Sequence, residues 1–254
     1  MNAPRRDLGA PGTPEADWRA SGVLEAVAVA EAAAVAPGGR AVVVAPHPDD
    51  EVLGVGGLLA TWAGLGVPVL VVAVTDGEGS HPGSPTLDPD ELAVRRRTER
   101  HDALGRLGLG AATVVRLELP DGGVADAEDA LTERLAGILA PGDLCLSPRP
   151  DDGHPDHDAV ARACRRAGST ARGVRHAHFA VWWWHWARPD TDSGDWGNAT
   201  RVVLTERALA AKRAAIGDFV TQVSALSDDP HDAVVLPPAV LDRLRREFEV
   251  LWWT

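Results

Sequence analysis

Two short stretches concentrate the residue types that do chemistry. "PHPDDE" (46–51) brings together His47, Asp49, Asp50 and Glu51, and "PDDGHPDHD" (150–158) brings together Asp152, His154, Asp156 and His157. Carboxylates this close to an apolar run repel one another or protonate unless a positive charge offsets them. A divalent cation supplies such a charge. Imidazole with carboxylate suits zinc, with Fe2+ or another divalent transition metal as the alternative. Two histidines and one carboxylate, with a position left open for water, form a catalytic donor pattern rather than a structural one. Alone, either stretch also reads as a polar, capped helix start. Only their meeting in space separates the two readings.

The surrounding elements decide whether they meet. "RAVVVAP" (40–46), "VPVLVVAVT" (67–75), "ATVVRLEL" (112–119) and "GDLCLSP" (142–148) are short apolar runs of the kind expected of buried strands. Helical patterns lie between and after them, over 51–66, from Asp88-Pro89 to about 107, over 126–140 and over 156–168. This alternation predicts an α/β protein, a Rossmann-like three-layer αβα sandwich with a mainly parallel sheet. Ligands of such sheets bind beyond the carboxyl ends of the strands. "PHPDDE" leaves the first strand and "PDDGHPDHD" the fourth, so both turns open on one rim. His47, Asp49, Asp50, His154, Asp156 and His157 then come within reach of one another. "GVGG" (54–57) is no dinucleotide fingerprint, because three acids occupy the turn where a pyrophosphate would sit; close helix–sheet packing explains these glycines better.

Beyond this unit, residues 1–16 read as a loose Pro/Gly/Ala arm and 17–36 as an Ala-rich helix, giving an N-terminal region 1–39 and a main domain 40–254. Later, 174–186 and 200–205 read as strands, and 206–220 and 238–253 as helices. The chain has 254 residues, 45% hydrophobic and 24% charged, enough for a sizeable core. No apolar run reaches the ~18 residues of a membrane span, and the N-terminus lacks the apolar core of a signal peptide. Cys145 and Cys164 provide no disulfide framework. A cytoplasmic protein without membrane attachment is the expectation. A net charge of −12 argues against nucleic acid as a partner.

At these motifs the sequence resembles the PIG-L / LmbE-like family of metal-dependent N-deacetylases. The likeness runs from about residue 40 to about 225. It includes Arg96, Glu99, Ala103, Leu107 and Gly108 of an "R-x-x-E…A…LG" pattern, "LPDGG" (119–123), Lys212 and Thr221-Gln222. The resemblance implies an LmbE-like fold in which His47, Asp50 and His157 bind zinc and Asp49 is the general base. It implies that His154 is a second catalytic residue, as a protonated imidazole, and that Asp156 orients a site imidazole. Arg96 and Asp121 match positions that contact substrate hydroxyls in sugar-deacetylating members. The implied substrate is a small N-acetylated amino sugar of the N-acetylglucosamine type, and a homo-oligomer is compatible with all of this.

One departure stands out. Some sugar-deacetylating members carry a tyrosine two residues before the first histidine of the second motif; here that position is Asp152, and the chain has no tyrosine. An amidase of the same family acting on another N-acyl substrate, a thiol conjugate or natural-product intermediate, is therefore the main alternative, with a nucleotide-binding oxidoreductase module the more distant one. "WWWHW" (182–186) reads as strand indoles packed in the core or an interface, against a sugar-stacking platform. The loop after the second strand, with Asp76 and His81, is placed to line the pocket.

Overall fold

The computed structural model describes residues 10–171, 173–192 and 194–254; the greater part of the expected loose arm, residues 1–9, lies outside them. The strands are β1 (Ala28–Glu31), β2 (Ala41–Ala45), β3 (Val69–Ala73), β4 (Thr113–Arg116), β5 (Leu144–Pro148), β6 (Arg175–Phe179), β7 (Ala199–Val203) and β8 (Phe248–Trp253). The helices are α1 (Glu15–Ala20), α2 (Asp50–Gly64), α3 (Pro89–Arg106), α4 (Glu128–Ile138), α5 (Pro155–Thr170), α6 (Trp183–Trp186), α7 (Glu206–Asp218), α8 (Val220–Val223) and α9 (Pro238–Leu244).

The strands form one sheet in the order β1-β7-β8-β6-β5-β2-β3-β4. Among them β8 alone runs antiparallel to its neighbours. Side chains of β2 alternate between two apolar clusters. Ala41 and Val43 face one that holds α2, α3, α7 and α9 residues, and Val42 and Val44 face one that holds α4 and α5 residues. The three-layer αβα architecture is thus the observed one. From β2 the chain runs outward through β3 to β4, then returns to β5 on the other side of β2. That reversal opens a crevice beyond the carboxyl ends of β2 and β5, and both motif turns leave from there.

Helix α2 lies against the sheet because glycines let it. A Cβ at Gly54 would run into the Phe179 ring, and one at Gly57 into Leu204. The helix breaks at Val55 (φ −138°, ψ 18°), and Glu249 of β8 accepts the Gly57 and Leu58 N–H groups, each at 2.8 Å. Lys212 of α7 balances this buried carboxylate at 2.7 Å.

Three expectations fail, each through a tertiary partner. Residues 17–36 are not a helix: after short α1 the chain forms β1, paired with β7. "VAVAEAAAVA" alternates with period two as well as being rich in helix formers, and the open edge of β7 supplies the backbone partners. The tryptophans of 182–186 are not on a strand. Asp152 accepts the backbone N–H groups of Val181, Trp182 and Trp183 at 2.9–3.0 Å, and donors converging on one carboxylate turn the chain out of the ladder into α6. Residues 238–253 are half helix and half strand: α9 ends at Leu244, and "FEVLWW" becomes β8, filling the gap between β6 and β7.

Candidate active site

The turn after β2 places its three acids apart, each with its own counter-charge. Asp50 Oδ2 lies 3.3 Å from His47 Nδ1 and 3.2 Å from His157 Nε2, and these two nitrogens are 3.3 Å from each other. Asp49 meets Arg96 Nη2 at 3.1 Å. Glu51, fully buried, meets Arg100 Nε at 3.1 Å. Arg96 and Arg100 are one turn apart on α3 and both buried. Part of the arginine-rich stretch 95–100 therefore faces inward as counter-charge. Its i, i+4 spacing opposite a buried acid cluster was the available signal.

Asp49 has φ 140° and ψ −31°, a region that non-glycine residues occupy only when held there. Arg96 does much of the holding. It donates to Pro48 O at 2.7 Å and Gly77 O at 3.0 Å besides binding the Asp49 carboxylate. Burial pushes the Asp49 carboxyl up to about 7, against the pull of Arg96.

The turn after β5 supplies the other half. His154 caps α5, its Nδ1 accepting the Asp156 N–H at 3.3 Å. Asp156 accepts from Gly122 and Val124 N–H groups and lies 3.2 Å from His47 Nε2. Asp121 reaches the same nitrogen at 3.1 Å and accepts the Gly79 N–H. Asp156 thus does abut a site imidazole, that of His47. Asp152, given no role by the motifs, lies 2.8 Å from His157 Nδ1.

Burial opposes charge on both His47 and His157. Asp121, Asp156 and Asp50 outweigh it and hold His47 well above the ordinary imidazole value; Asp50 and Asp152 raise His157 to about 10. The pair therefore sits in a field that favours positive charge. His154 goes the other way: burial, then His47 and His157, lower it to about 3. With Nδ1 an acceptor, neutral His154 carries its proton on Nε2. Burial therefore opposes the protonated imidazole that the resemblance implies at this position.

The donor set fits a divalent cation. A tetrahedral ion with bonds of ~2.0–2.1 Å sets its ligand atoms ~3.3–3.4 Å apart, close to the 3.2–3.3 Å triangle of His47, Asp50 and His157. Nitrogens of His47, His154 and His157 also lie within 4.8 Å of one another, as do donor atoms of His47, Asp121 and Asp156. A cavity of about 260 Å³ opens onto His47, Asp49, Asp50, Arg96, Asp121 and His154. The loop after β3 lines it through Gly79, Ser80 and Pro82, whereas Asp76 on that loop turns to Arg97 and Arg116.

The sequence profile of the family described as PIG-L: GlcNAc-PI de-N-acetylase matches residues 42–168, half of the chain and both motif turns. The chain belongs to the PIG-L family. A 1D-myo-inositol 2-acetamido-2-deoxy-alpha-D-glucopyranoside deacetylase of Corynebacterium diphtheriae is 37% identical over 145 residues, 47% of this chain and 49% of that one. The chain spans about half the length of the curated relatives it matches. Among solved structures, the A40926 pseudoaglycone deacetylase Dbv21 superposes with a TM-score of 0.62 at 24% identity, covering 84% of this chain and 96% of that one. GalB, the 4-carboxy-2-hydroxymuconate hydratase of Pseudomonas putida KT2440, superposes with a TM-score of 0.52 at 22% identity, covering 72% and 80%. The PIG-L fold thus also carries chemistry other than deacetylation, so the reaction has to be argued from the site.

Three other histidines of this PIG-L chain, all on or just after β6, have internal partners. His176 and His178 flank Ser147 Oγ at 2.9 and 3.1 Å, and His185 contacts Ala10 O and Arg243. Trp183 and Trp184 pack with Trp18, Trp196 and Trp252 in the core, while Trp182 alone of the "WWWHW" stretch lines the cavity.

Proposed function

We propose that this chain is a zinc-dependent N-deacetylase that hydrolyses the acetamide of a small N-acetylglucosamine-type amino sugar. The observation that carries the reading is the His47–Asp50–His157 triangle, sized for one cation, beside a cavity-lining carboxyl, Asp49, raised to about 7. The family membership and the deacetylase names of its relatives support it.

His47, Asp50 and His157 would hold the ion. Bound there, zinc supplies Lewis-acid polarisation of the amide carbonyl and acidifies a water molecule to a pKa of roughly 7. Asp49, poised near neutrality, accepts the proton of the attacking water as the new C–O bond forms. In this reading neutral His154 donates its Nε2–H to the oxyanion. The proton on Asp49 then passes to the amine nitrogen as the C–N bond breaks, leaving acetate and the free amine. Arg96 holds Asp49 in its strained conformation. Asp156 and Asp152 fix the rings of His47 and His157 by accepting from the nitrogens that face away from the triangle. Asp121 shares the His47 contact and borders the cavity, where it is available to a sugar hydroxyl.

The test is amine release from N-acetylglucosaminides by zinc-loaded protein, with two variants. Asp49→Asn is expected to keep its zinc and lose about 10²–10⁴-fold in kcat, while His157→Ala loses the metal. Full turnover by Asp49→Asn on a substrate the parent hydrolyses would remove Asp49 as the base.

A further inference from the structure

Helix α6 is a single turn, and a single turn cannot hold its own backbone: its first N–H and last C=O groups have no partners within the helix. At the leading end Asp152 supplies the acceptor. It takes the N–H groups of Val181, Trp182 and Trp183, and its Oδ2 also meets His157 Nδ1. At the trailing end donors come from the N-terminal segment, residues 10–20, which lies outside the stretch matched by the family profile. Trp18 Nε1 donates to Trp184 O at 3.0 Å, Thr13 N–H to His185 O at 2.9 Å and Thr13 Oγ1 to Ala187 O at 2.7 Å.

The segment is itself tied to the turn through a buried side-chain pair. Ala10 O only accepts, so His185 Nε2 carries the proton and donates to it at 3.0 Å. Nδ1 is then an acceptor. Arg243 Nη2 donates to it at 2.7 Å, and Arg243 Nη1 donates to Thr13 O at 2.6 Å. His185 and Arg243 are both buried. Gly12 lies against the His185 ring: a Cβ there would fall 2.3 Å from Nδ1 and 2.4 Å from Cε1. With Ala10 and Arg243 pinning the ring, a side chain at position 12 forces either the ring or the segment out of place.

We infer that residues 10–18 are a positioning clamp for the turn that orients Asp152 and, through that carboxylate, for the ring of His157. The inference rests on the reading of His47, Asp50 and His157 as metal ligands and adds a control on them from outside both motifs. The route is short. The segment fixes the carbonyls of Trp184, His185 and Ala187; these fix the N–H groups of residues 181–183; and those fix the carboxylate that faces His157 Nδ1. With the segment lifted, Asp152 loses its fixed donors and the ligand ring loses its fixed partner. Trp182, which borders the cavity, moves with the same turn.

The test measures two quantities on the full chain: zinc affinity, by competition with a chromophoric chelator, and hydrogen exchange at the Val181, Trp182 and Trp183 amides. Gly12→Val drives a side chain into the His185 ring, and Thr13→Val removes the Oγ1 donor without adding bulk. Arg19→Gln is the comparison, because it cuts the same segment's bonds to Glu247, at 2.8–2.9 Å, ahead of β8 rather than at α6. Gly12→Val is expected to weaken zinc binding by about tenfold and to speed exchange at the three amides. Thr13→Val should do both to a smaller extent, and Arg19→Gln neither. Global destabilisation does not give this pattern, since the affinity of a protein that stays folded is independent of its margin of stability. Parental zinc affinity in both valine variants would overturn the inference, and so would an Arg19→Gln effect as large as theirs. If Gly12→Val does not fold, Thr13→Val against Arg19→Gln decides. If the parent binds no zinc, the metal reading fails separately, and exchange then decides the clamp: faster at residues 181–183 in the valine variants supports it, and unchanged refutes it.

Discussion

Asp49 combines three features that conflict with stability: a backbone at φ 140°, a buried carboxyl and a neighbouring Asp50. Its leading counter-charge is Arg96, with His47 behind it. A glycine tolerates positive φ and an alanine does not, so Asp49→Gly should be more stable than Asp49→Ala by about 1–2 kcal/mol, read from urea midpoints at equal m-value. Equal stabilities would mean that the turn relaxes and stores no strain. The ionisation of Asp49 also predicts a pH profile. A base must be deprotonated to act, so kcat/KM should rise with pH and level off above about 7. Because Arg96 lowers this carboxyl, Arg96→Met should move the acid limb to higher pH by about one unit. A residue that only bound a sugar hydroxyl would change KM and leave the limb in place.

The two halves of the centre sit on different strand–helix turns, and one carboxylate locks the second half to the cavity wall. Asp152 follows β5, receives three N–H groups from the turn after β6 and meets His157 Nδ1. Replacing either oxygen by an amide nitrogen removes an acceptor and puts an N–H against an existing donor. Asp152→Asn is therefore expected to weaken zinc binding by about 10–100-fold while far-ultraviolet circular dichroism stays unchanged. Competition with a chromophoric chelator measures this, and parental affinity would show that His157 needs no such partner. Where some sugar-deacetylating members carry a tyrosine, this chain has a carboxylate that meets His157 Nδ1 at 2.8 Å; in the proposed reading it would orient that ring from behind, and His154 would be the donor to the oxyanion.

The molecule as a whole does not depend on the ion for its core. The sheet is covered on both faces by separate apolar clusters, and Trp18 is fully buried against Trp183 and Trp184, far along the chain. Chelation should therefore abolish turnover and lower Tm by only the binding linkage, with the apo protein still unfolding cooperatively; loss of cooperative unfolding on chelation would contradict this. No described helix is long and apolar enough to cross a membrane.

How much of this was legible in the sequence varied with the range of the interaction involved. The β2, β3 and β5 runs, the helices α2, α3 and α5 and the two histidine–aspartate turns were legible because local hydrophobic period and turn chemistry specify them, and a parallel sheet leaves such turns one rim to share. Strands β1 and β8 and the turn at α6 were not. Residues 28–31 and 248–253 take strand geometry from the open edges of β7 and β6, and 181–186 leave the ladder because Asp152, some thirty residues earlier, collects their N–H groups. The pairing of Arg96 with Asp49, of Arg100 with Glu51 and of Asp152 with His157 was likewise decided by tertiary structure. Residue types and spacing determine which groups are available for chemistry; which carboxylate holds which partner depends on distances that exist only once separate turns pack together and exclude water.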